Sequence, residues 1–305
     1  MTKKLIKSLI GLGKWYFQKM TNPIKVKLKR RLPKLIFLRT SVSDRKSYAE
    51  ICTLASKNDA VFKNFKRHKD YQRVLEHVTQ KQGQAYLNVI KSENKNLLKH
   101  ISKFQENDQL GNPLTFSYKI NKKNTTLSPT TLRYVKVLSD LKNIFSTLNN
   151  FEIIEIGGGY GGQGKIISSV FKFKSYTMVD LVTVLPLARK YLRMLKVKNV
   201  FFLKPSKIPA KKIYDLVISN YAFSECGKEI QNEYIDKVLK TTKKGYITYN
   251  YQNESKNKYH PVSPYSKKEI IRILSKYHQL KILPERPKTG SANFIIVWDD
   301  IGKLK

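Results

Sequence analysis

The hydrophobic pattern from Phe151 onward predicts strands and helices in alternation. Short apolar runs are separated by longer stretches in which apolar residues recur at helical spacing. This order is typical of a parallel sheet with helices on both faces. The predicted strands are Ile153–Ile156, Tyr176–Val179, Val200–Leu203, Leu216–Ser219 and Tyr246–Tyr249, and the predicted helices are Gln163–Phe171, Val184–Leu195, Ile230–Lys240 and Lys267–Tyr277.

The end of the chain adds two strands of a different kind. The runs L-K-I-L and N-F-I-I-V-W are separated only by P-E-R-P-K-T-G-S and one alanine. So short a connection joins antiparallel strands, because a parallel pair needs a longer crossover. Residues 151–305 are therefore predicted to form an α/β domain, a Rossmann-like sheet of seven strands that ends in an antiparallel hairpin strand.

The residues before this domain are predicted to be mostly helical. Ser43 is a candidate N-cap, and a later helix is indicated by the apolar spacing from Ala85 to Ile101. Ser128 and Pro129 are the expected cap and first residue of a helix that continues through Leu148. We expect residues 41–150 to form a helical N-terminal region on the acceptor side of the site.

Residues 1–40 form a basic, amphipathic N-terminal segment. The first 39 residues contain twelve Lys or Arg and no acidic residue, and apolar side chains from Leu5 to Met20 recur at near-helical spacing. This pattern is typical of a helix on an anionic membrane surface. The alternatives are a helix that packs on the rest of the protein and a flexible basic arm. No apolar run approaches the roughly 20 residues that span a bilayer.

Composition changes this interpretation in only a few respects. The net charge of +37 favours an anionic partner, such as a membrane face, a nucleic acid or a phosphorylated or acidic glycan intermediate. The charge is spread along most of the chain, so a compositional bias explains much of it equally well.

Cys52 and Cys226 match no metal or redox spacing and fit a reducing compartment. The N-terminal segment lacks the small-residue cleavage site of a secretory signal, so the predicted location is cytoplasmic. Residues 1–39 are expected to make peripheral contact with the inner face of the membrane.

The segment Phe151–Gly164, F-E-I-I-E-I-G-G-G-Y-G-G-Q-G, predicts a strand, a tight turn and a helix. Ligands of open α/β sheets bind at the carboxyl ends of such strands. The spacing G-x-G-x-x-G allows a dinucleotide. Glu155, however, completes E-x-G-x-G-x-G, the form of this loop in methyltransferases, whose cationic cofactor carries no pyrophosphate. Asp180 ends the next predicted strand, where a carboxylate accepts hydrogen bonds from ribose hydroxyls.

Several motifs together make the chain resemble a narrower family. I-I-E-I-G-G-G-Y-G-G-Q-G, M-V-D-L-V-T-V-L-P-L-A-R-K-Y-L, S-N-Y-A-F-S-E, K-G-Y-I-T-Y-N and the upstream L-S-P-T-T-L-R-Y-V look like the sugar O-methyltransferases of bacterial surface-polysaccharide clusters. The similarity runs from about Tyr48 to Trp298. It implies a class I methyltransferase fold, S-adenosylmethionine as cofactor, and a sugar or glycan hydroxyl as acceptor, with a nucleotide-linked or lipid-linked carrier left open.

A sugar hydroxyl is weakly acidic, so methyl transfer to it calls for a general base or a metal. Glu225, after the fourth strand of the parallel series, is the first choice for the base, and His260, after the fifth, is the second. No His, Asp or Glu cluster has metal-ligand spacing, so no metal site is predicted. The residues expected to hold the cofactor are Glu155, Gly157, Gly158, Gly159, Tyr160, Gly161, Gln163, Asp180, Leu181 and Asn220.

Two other functions compete with a sugar O-methyltransferase. The basic charge suits an RNA methyltransferase, but S-N-Y-A replaces the N/D-P-P-Y/F motif used for base amines, and no RNA-binding module is recognisable. Nucleic acid is therefore not the expected partner. The other alternative is a non-catalytic protein that contacts a membrane surface and has lost its chemistry. The intact Glu155, glycine loop and Asp180 argue against it.

Overall fold

The computed structural model describes residues 46–250 and 262–299, and we number its elements in chain order. The segment 1–40, the predicted cap Ser43 and the candidate base His260 lie outside the described residues. The helices are α1 Lys46–Lys57, α2 Asp59–Asn64, α3 Lys69–Gln72, α4 Gln80–Asn94, α5 Ile101–Gln105, α6 Pro129–Phe145, α7 Gly162–Ser168, α8 Leu185–Met194, α9 Lys228–Tyr234 and α10 Lys267–Leu274. The strands are β1 Phe116–Ile120, β2 Lys123–Leu127, β3 Glu152–Ile156, β4 Ser175–Val179, β5 Val200–Leu203, β6 Leu216–Asn220, β7 Lys244–Asn250, β8 Lys281–Pro284 and β9 Asn293–Asp299.

A seven-stranded sheet with the order β5-β4-β3-β6-β7-β9-β8 forms the centre of the fold. The strands from β5 to β7 run parallel, whereas β9 is antiparallel to both β7 and β8. This arrangement confirms the predicted Rossmann-like fold with a terminal antiparallel strand. The strand order changes direction between β3 and β6, so a crevice is expected at the carboxyl ends of these two strands.

The apolar run of β3 explains its central place in this sheet. Ile154 pairs with Thr177 of β4 on one side and with Val217 of β6 on the other. Strands of a parallel sheet are covered on both faces, so their sequences are continuously apolar rather than alternating. The exception in this strand is Glu155, a carboxylate that is only 2% exposed. A buried charge at such a position requires either partners or neutralisation.

The region before β3 is helical apart from one hairpin. β1 and β2 pair in antiparallel fashion, and the sequence predicted only a brief alternation at β1. β2, K-N-T-T-L, was missed because its only buried side chain is Leu127. α6 begins as predicted, with the Ser128 hydroxyl accepting from the backbone N–H of Thr131 at 3.0 Å. It ends at Phe145, before the predicted Leu148, because Ser146 adopts a positive φ of 64°.

Side chains from both sides of residue 150 share one hydrophobic core, which includes Tyr48 of α1, Leu132 of α6 and Ile153 of β3. A second cluster lies on the other face of the sheet and includes Ile154 and Trp298. α6 packs against both α4 and α7, the helix that follows the glycine loop. The division of the chain at residue 150 stays a prediction. Within the part of the chain that the structure describes, no helix is long and apolar enough to cross a membrane.

Candidate active site

The glycine loop lies between the carboxyl end of β3 and the start of α7. The N–H of Gly157 donates to the carbonyl of Val179 at 2.8 Å, which joins the ends of β3 and β4. The N–H of Gly161 donates to the carbonyl of Gly158 at 2.9 Å and closes a turn. Gly157, Gly159 and Gly161 have φ values of +77°, +56° and +94°. Only glycine adopts such conformations without appreciable strain, so the loop shape requires these residues.

Two neighbours lie so close to the loop that no side chain fits. A Cβ on Gly157 would lie 2.0 Å from Cβ of Ala222, in the turn that follows β6. A Cβ on Gly159 would lie 2.6 Å from Cδ1 of Leu75, which belongs to the segment between α3 and α4. The loop is therefore bordered by the end of β6 on one side and by the helical region on the other.

Asp180 holds the loop from the adjacent strand end. Its Oδ2 accepts from the N–H of Gly159 at 2.8 Å, and its Oδ1 accepts from the N–H of Leu181 at 2.7 Å. Burial raises the pKa of this carboxyl to about 6, against the opposing effect of the two N–H groups. A carboxylate has further lone pairs, so Asp180 can still accept hydrogen bonds from a diol. Leu181 contributes its backbone N–H to this arrangement.

Glu155 lies beneath the loop, and its environment makes it a weak acid. Burial raises its pKa to about 8; the hydroxyl of Tyr176, which donates to Oε2 at 2.9 Å, lowers the pKa, and the charge of Asp180 raises it. A Cβ on Gly158 would lie 2.8 Å from the same Oε2, so the carboxyl is next to the loop backbone. A carboxyl with this pKa is mostly neutral at pH 7, and a cationic ligand beside it favours its ionised form.

The side chain of Tyr160 points away from the loop surface. The Tyr160 ring is fully buried and packs edge-on against Tyr191, with a centroid distance of 4.8 Å. The ammonium of Lys66 lies 4.1 Å from its centroid, and Asn107 donates to its hydroxyl at 3.2 Å. Any contact of Tyr160 with a ligand is thus left to its backbone. The ring instead anchors the loop to the helical region.

In the side-chain amide of Gln163, the nitrogen forms a hydrogen bond and the oxygen does not. Its Nε2 donates to the carbonyl of Tyr134 at 3.3 Å, whereas its buried Oε1 has no hydrogen-bond partner. The Nδ2 of Asn220, at the carboxyl end of β6, is likewise buried without a partner. Unsatisfied buried groups are rare in folded proteins, and a bound polar ligand is one way to satisfy them. Both residues thus have free hydrogen-bonding capacity near the loop.

The turn after β6 carries Glu225. Tyr221 begins this turn with a φ of +69°, an uncommon conformation for a residue other than glycine that is often found at functional sites. Glu225 accepts from Nδ2 of Asn250, the last residue of β7, at 3.3 Å. It lies three positions after Ala222, the residue that touches Gly157. Glu225 is thus at the same sheet edge as the glycine loop, as expected for a group that acts on a ligand there.

A polar pocket beside Asn220 contains residues that the sequence did not single out. Tyr86 of α4, Arg133 of α6 and Glu285 of the β8–β9 connection line it together with Asn220 and Tyr221. Its enclosed volume of about 20 Å³ holds roughly one water molecule, so a larger ligand would have to displace part of the wall. Arg133 lies in the motif L-S-P-T-T-L-R-Y-V, which supports the family resemblance and a helix start but does not by itself assign a role to the arginine.

The described residues contain no group of three or more His, Cys, Asp or Glu side chains placed to hold a metal ion. Cys52 and Cys226 are both buried free thiols. Among the described residues, the side chains at this edge of the sheet offer carboxylates, tyrosine hydroxyls, amides and the buried guanidinium of Arg133.

Comparison with known proteins returned solved structures only. No protein-family model matches the chain, and no curated protein matches it. The methyltransferase domain of the bacterial protein CtHen1 is 17% identical, with 55% of this chain and 96% of that chain covered and a TM-score of 0.41. Magnesium protoporphyrin IX methyltransferase from Synechocystis PCC 6803, determined with bound SAH, is 12% identical over 55% of this chain and 82% of that chain, with a TM-score of 0.43.

A third similar structure is the N-terminal domain of EvdMO1, determined in the presence of SAH and D-fucose. It is 11% identical, with 54% of this chain and 82% of that chain covered and a TM-score of 0.44. The matched part of this chain is little more than half of it. The assignment of the fold rests on the strand order and strand directions of this chain itself.

Proposed function

We propose that this chain is an S-adenosylmethionine-dependent O-methyltransferase that acts on a sugar hydroxyl of a bacterial surface glycan or its precursor. One observation carries the methyl-donor half of the proposal. A glycine loop with positive φ values, the carboxylate of Asp180 bound to it and the buried Glu155 beneath it meet at the carboxyl ends of β3 and β4. The sugar acceptor is supported only by the resemblance of the sequence motifs.

S-Adenosylmethionine fits the chemistry of these residues. Asp180 would accept the two ribose hydroxyls, and its hydrogen bond from Gly159 couples ribose binding to the shape of the glycine loop. Glu155 would stabilise the cationic end of the cofactor. Gln163 and Asn220, with partnerless amide atoms, supply further hydrogen bonds for its polar groups. When bound, the cofactor would supply a methyl group whose carbon is activated by the sulfonium.

The acceptor hydroxyl must be held in line with that carbon and lose its proton. Glu225 would accept this proton, because its carboxylate lies on the turn that touches the glycine loop. Asn250 fixes the orientation of the carboxylate. His260 stays the second choice for this role. Tyr221 and the other residues of the polar pocket would contact the sugar.

Replacing Glu225 by Gln is expected to lower the methyl-transfer rate constant by roughly 10²- to 10⁴-fold, the contribution typical of a general base. Affinity for S-adenosylmethionine should stay within about twofold. Glu229→Gln is the matched control, since Glu229 is an exposed carboxylate in the first turn of the next helix, α9. A turnover of E225Q equal to that of the control would remove Glu225 from this role.

Cofactor binding is expected to release a proton near pH 7. With a pKa of about 8, Glu155 is mostly protonated before binding, and a cationic ligand lowers that pKa. Affinity should therefore rise with pH up to about 8 and then level off. Titration calorimetry in two buffers of different ionisation enthalpy measures the released proton. Glu155→Gln should abolish the difference between the buffers; a wild-type enthalpy that does not depend on the buffer contradicts this linkage.

The acceptor class is tested by incubating the full chain with methyl-labelled S-adenosylmethionine and separate glycan and RNA fractions. The proposal predicts label in the glycan fraction. Label in RNA would favour the rival RNA methyltransferase, for which the net charge of +37 is the supporting observation. Cofactor binding without transfer to either fraction would favour the non-catalytic alternative.

A further inference from the structure

Arg133 is a buried cation with few protein partners. The residue is only 8% exposed. Its Nη2 donates to the carbonyl of Leu75 at 3.3 Å, and its guanidinium lies 5.5 Å from the ring centroid of Tyr134. Among the described residues, no carboxylate forms an ion pair with it and no other hydrogen bond of its guanidinium is found. A buried guanidinium usually requires an anion, since desolvation of an uncompensated charge is costly.

The other charged groups of the pocket are already engaged. Lys136 pairs with Asp140 at 2.6 Å, and Arg286 pairs with Glu93 at 2.7 Å. Glu285 accepts from the hydroxyls of Tyr221 and Thr289 and from the side-chain amide of Asn293. The remaining positive charge that faces the pocket is therefore that of Arg133.

Glu76 is the carboxylate that affects Arg133 through space. Its Oε1 is buried and has no hydrogen-bond partner, and among the described residues no ion pair joins its carboxyl to the guanidinium of Arg133. Burial raises the pKa of Glu76, and the positive charges of Lys66 and Arg133 lower it. A group pushed towards its neutral form is a poor counter-ion for a guanidinium.

Arg133 lies next to the proposed site of methyl transfer. The next residue, Tyr134, packs so close to the glycine loop that a Cβ on Gly162 would lie 2.4 Å from its Cε2. Arg133 also binds the backbone of Leu75, which covers Gly159. On its other side it lines the pocket together with Asn220 and Tyr221. The guanidinium is thus between the cofactor loop and the turn that carries Glu225.

We propose that Arg133 binds an oxyanion, a carboxylate or phosphate group, at the polar pocket beside Asn220. The proposal rests on the proposed function and deepens it. Two ligands would bring such a group to this position: the methionine end of the cofactor, through its carboxylate, and an acceptor sugar that carries a uronate or a phosphate. The fork of the guanidinium fits either oxyanion through two parallel hydrogen bonds.

The test compares wild-type protein with Arg133→Met and Arg133→Lys by equilibrium titration. Two adenosine probes are titrated alone: S-adenosylmethionine, and methylthioadenosine, which lacks the methionine carboxylate. Three sugar probes are titrated in the presence of methylthioadenosine: glucuronate, glucose 1-phosphate and glucose. Arg73→Met is the matched control, because Arg73 is exposed and ion-paired with Asp70 at 3.1 Å. Thermal unfolding checks that each variant is folded, and the lysine variant keeps the charge if the methionine variant fails to fold.

Loss of about 10- to 100-fold in affinity for S-adenosylmethionine, but not for methylthioadenosine, would assign Arg133 to the cofactor. A similar loss for glucuronate or glucose 1-phosphate, with cofactor affinity intact, would assign it to an anionic acceptor. Unchanged affinity of both Arg133 variants for every probe overturns the inference. If wild-type protein binds neither adenosine probe, the proposed function itself fails, and the sugar probes still decide whether Arg133 binds an anion.

Discussion

Gly157→Ala is expected to abolish cofactor binding and to lower the free energy of unfolding by about 3 kcal/mol. A side chain at a φ of +77° costs about 1–2 kcal/mol by itself. The new methyl group would also lie 2.0 Å from Cβ of Ala222, and such overpacking costs about 1–3 kcal/mol more. Urea unfolding and titration with S-adenosylmethionine measure the two effects.

The double variant Gly157→Ala/Ala222→Gly separates the clash from the backbone strain. Without the Ala222 side chain, the nearest neighbour to the new methyl group is Cα of residue 222, at an ordinary 3.5 Å. The double variant should be more stable than the sum of the single variants predicts, by at least about 1 kcal/mol. It should still bind the cofactor poorly, because the strain persists. A double variant whose loss of stability equals the sum of the two single losses would show that the two segments are not in contact.

Asp180→Ala is expected to weaken S-adenosylmethionine binding roughly 30- to 700-fold. The variant loses the acceptor of two ribose hydroxyls, which corresponds to about 2–4 kcal/mol for hydrogen bonds to a charged group. It also frees the N–H of Gly159, now bonded to Asp180 Oδ2 at 2.8 Å. Because the carboxyl has a pKa of about 6, wild-type affinity should also fall below that pH as Asp180 is protonated.

Asp215→Ala is the matched control for this experiment. Asp215 accepts from the backbone N–H of Glu152 at 2.8 Å, the same kind of bond between strand ends. It lies, however, at the amino end of β6, on the edge of the sheet opposite the proposed site. Its loss should lower stability without changing cofactor affinity. Equal effects of the two variants on affinity would mean that Asp180 acts only through the fold.

The fold could be predicted because the pattern of apolar and polar residues that defines each strand and helix is local and periodic in the sequence. The apolar runs that became β3, β4, β6 and β7 are mostly buried on both faces, so each appears in the sequence as a continuous run. β5 lies at the edge of the sheet, where Phe201 is 57% exposed, but its residues V-F-F-L are still a continuous apolar run. The connection between β8 and β9 is short, so the sequence allowed only an antiparallel pairing of these two strands. β2 was not predicted, because its strand conformation depends on pairing with β1 rather than on its own composition.

The site could be predicted less completely, because the direction of a side chain depends on tertiary packing. The positions of Gly157, Gly159 and Asp180 followed from the order strand, turn, helix, strand. The same reasoning placed the Tyr160 side chain at the ligand, whereas Phe65, Tyr71, Tyr134 and Tyr191 surround its ring in the core. Arg133 was missed because no local pattern shows that the helix before the loop packs beside the site; that depends on tertiary packing.

Titration of the full chain with S-adenosylmethionine and, separately, with NAD tests the central claim most directly. The glycine spacing and Asp180 suit either ligand, whereas the carboxyl of Glu155 next to the loop favours the cationic nucleoside. The account predicts saturable binding of S-adenosylmethionine at one site, competition by S-adenosylhomocysteine, and no measurable binding of NAD. Binding of NAD in preference to S-adenosylmethionine, or binding of neither, would contradict it.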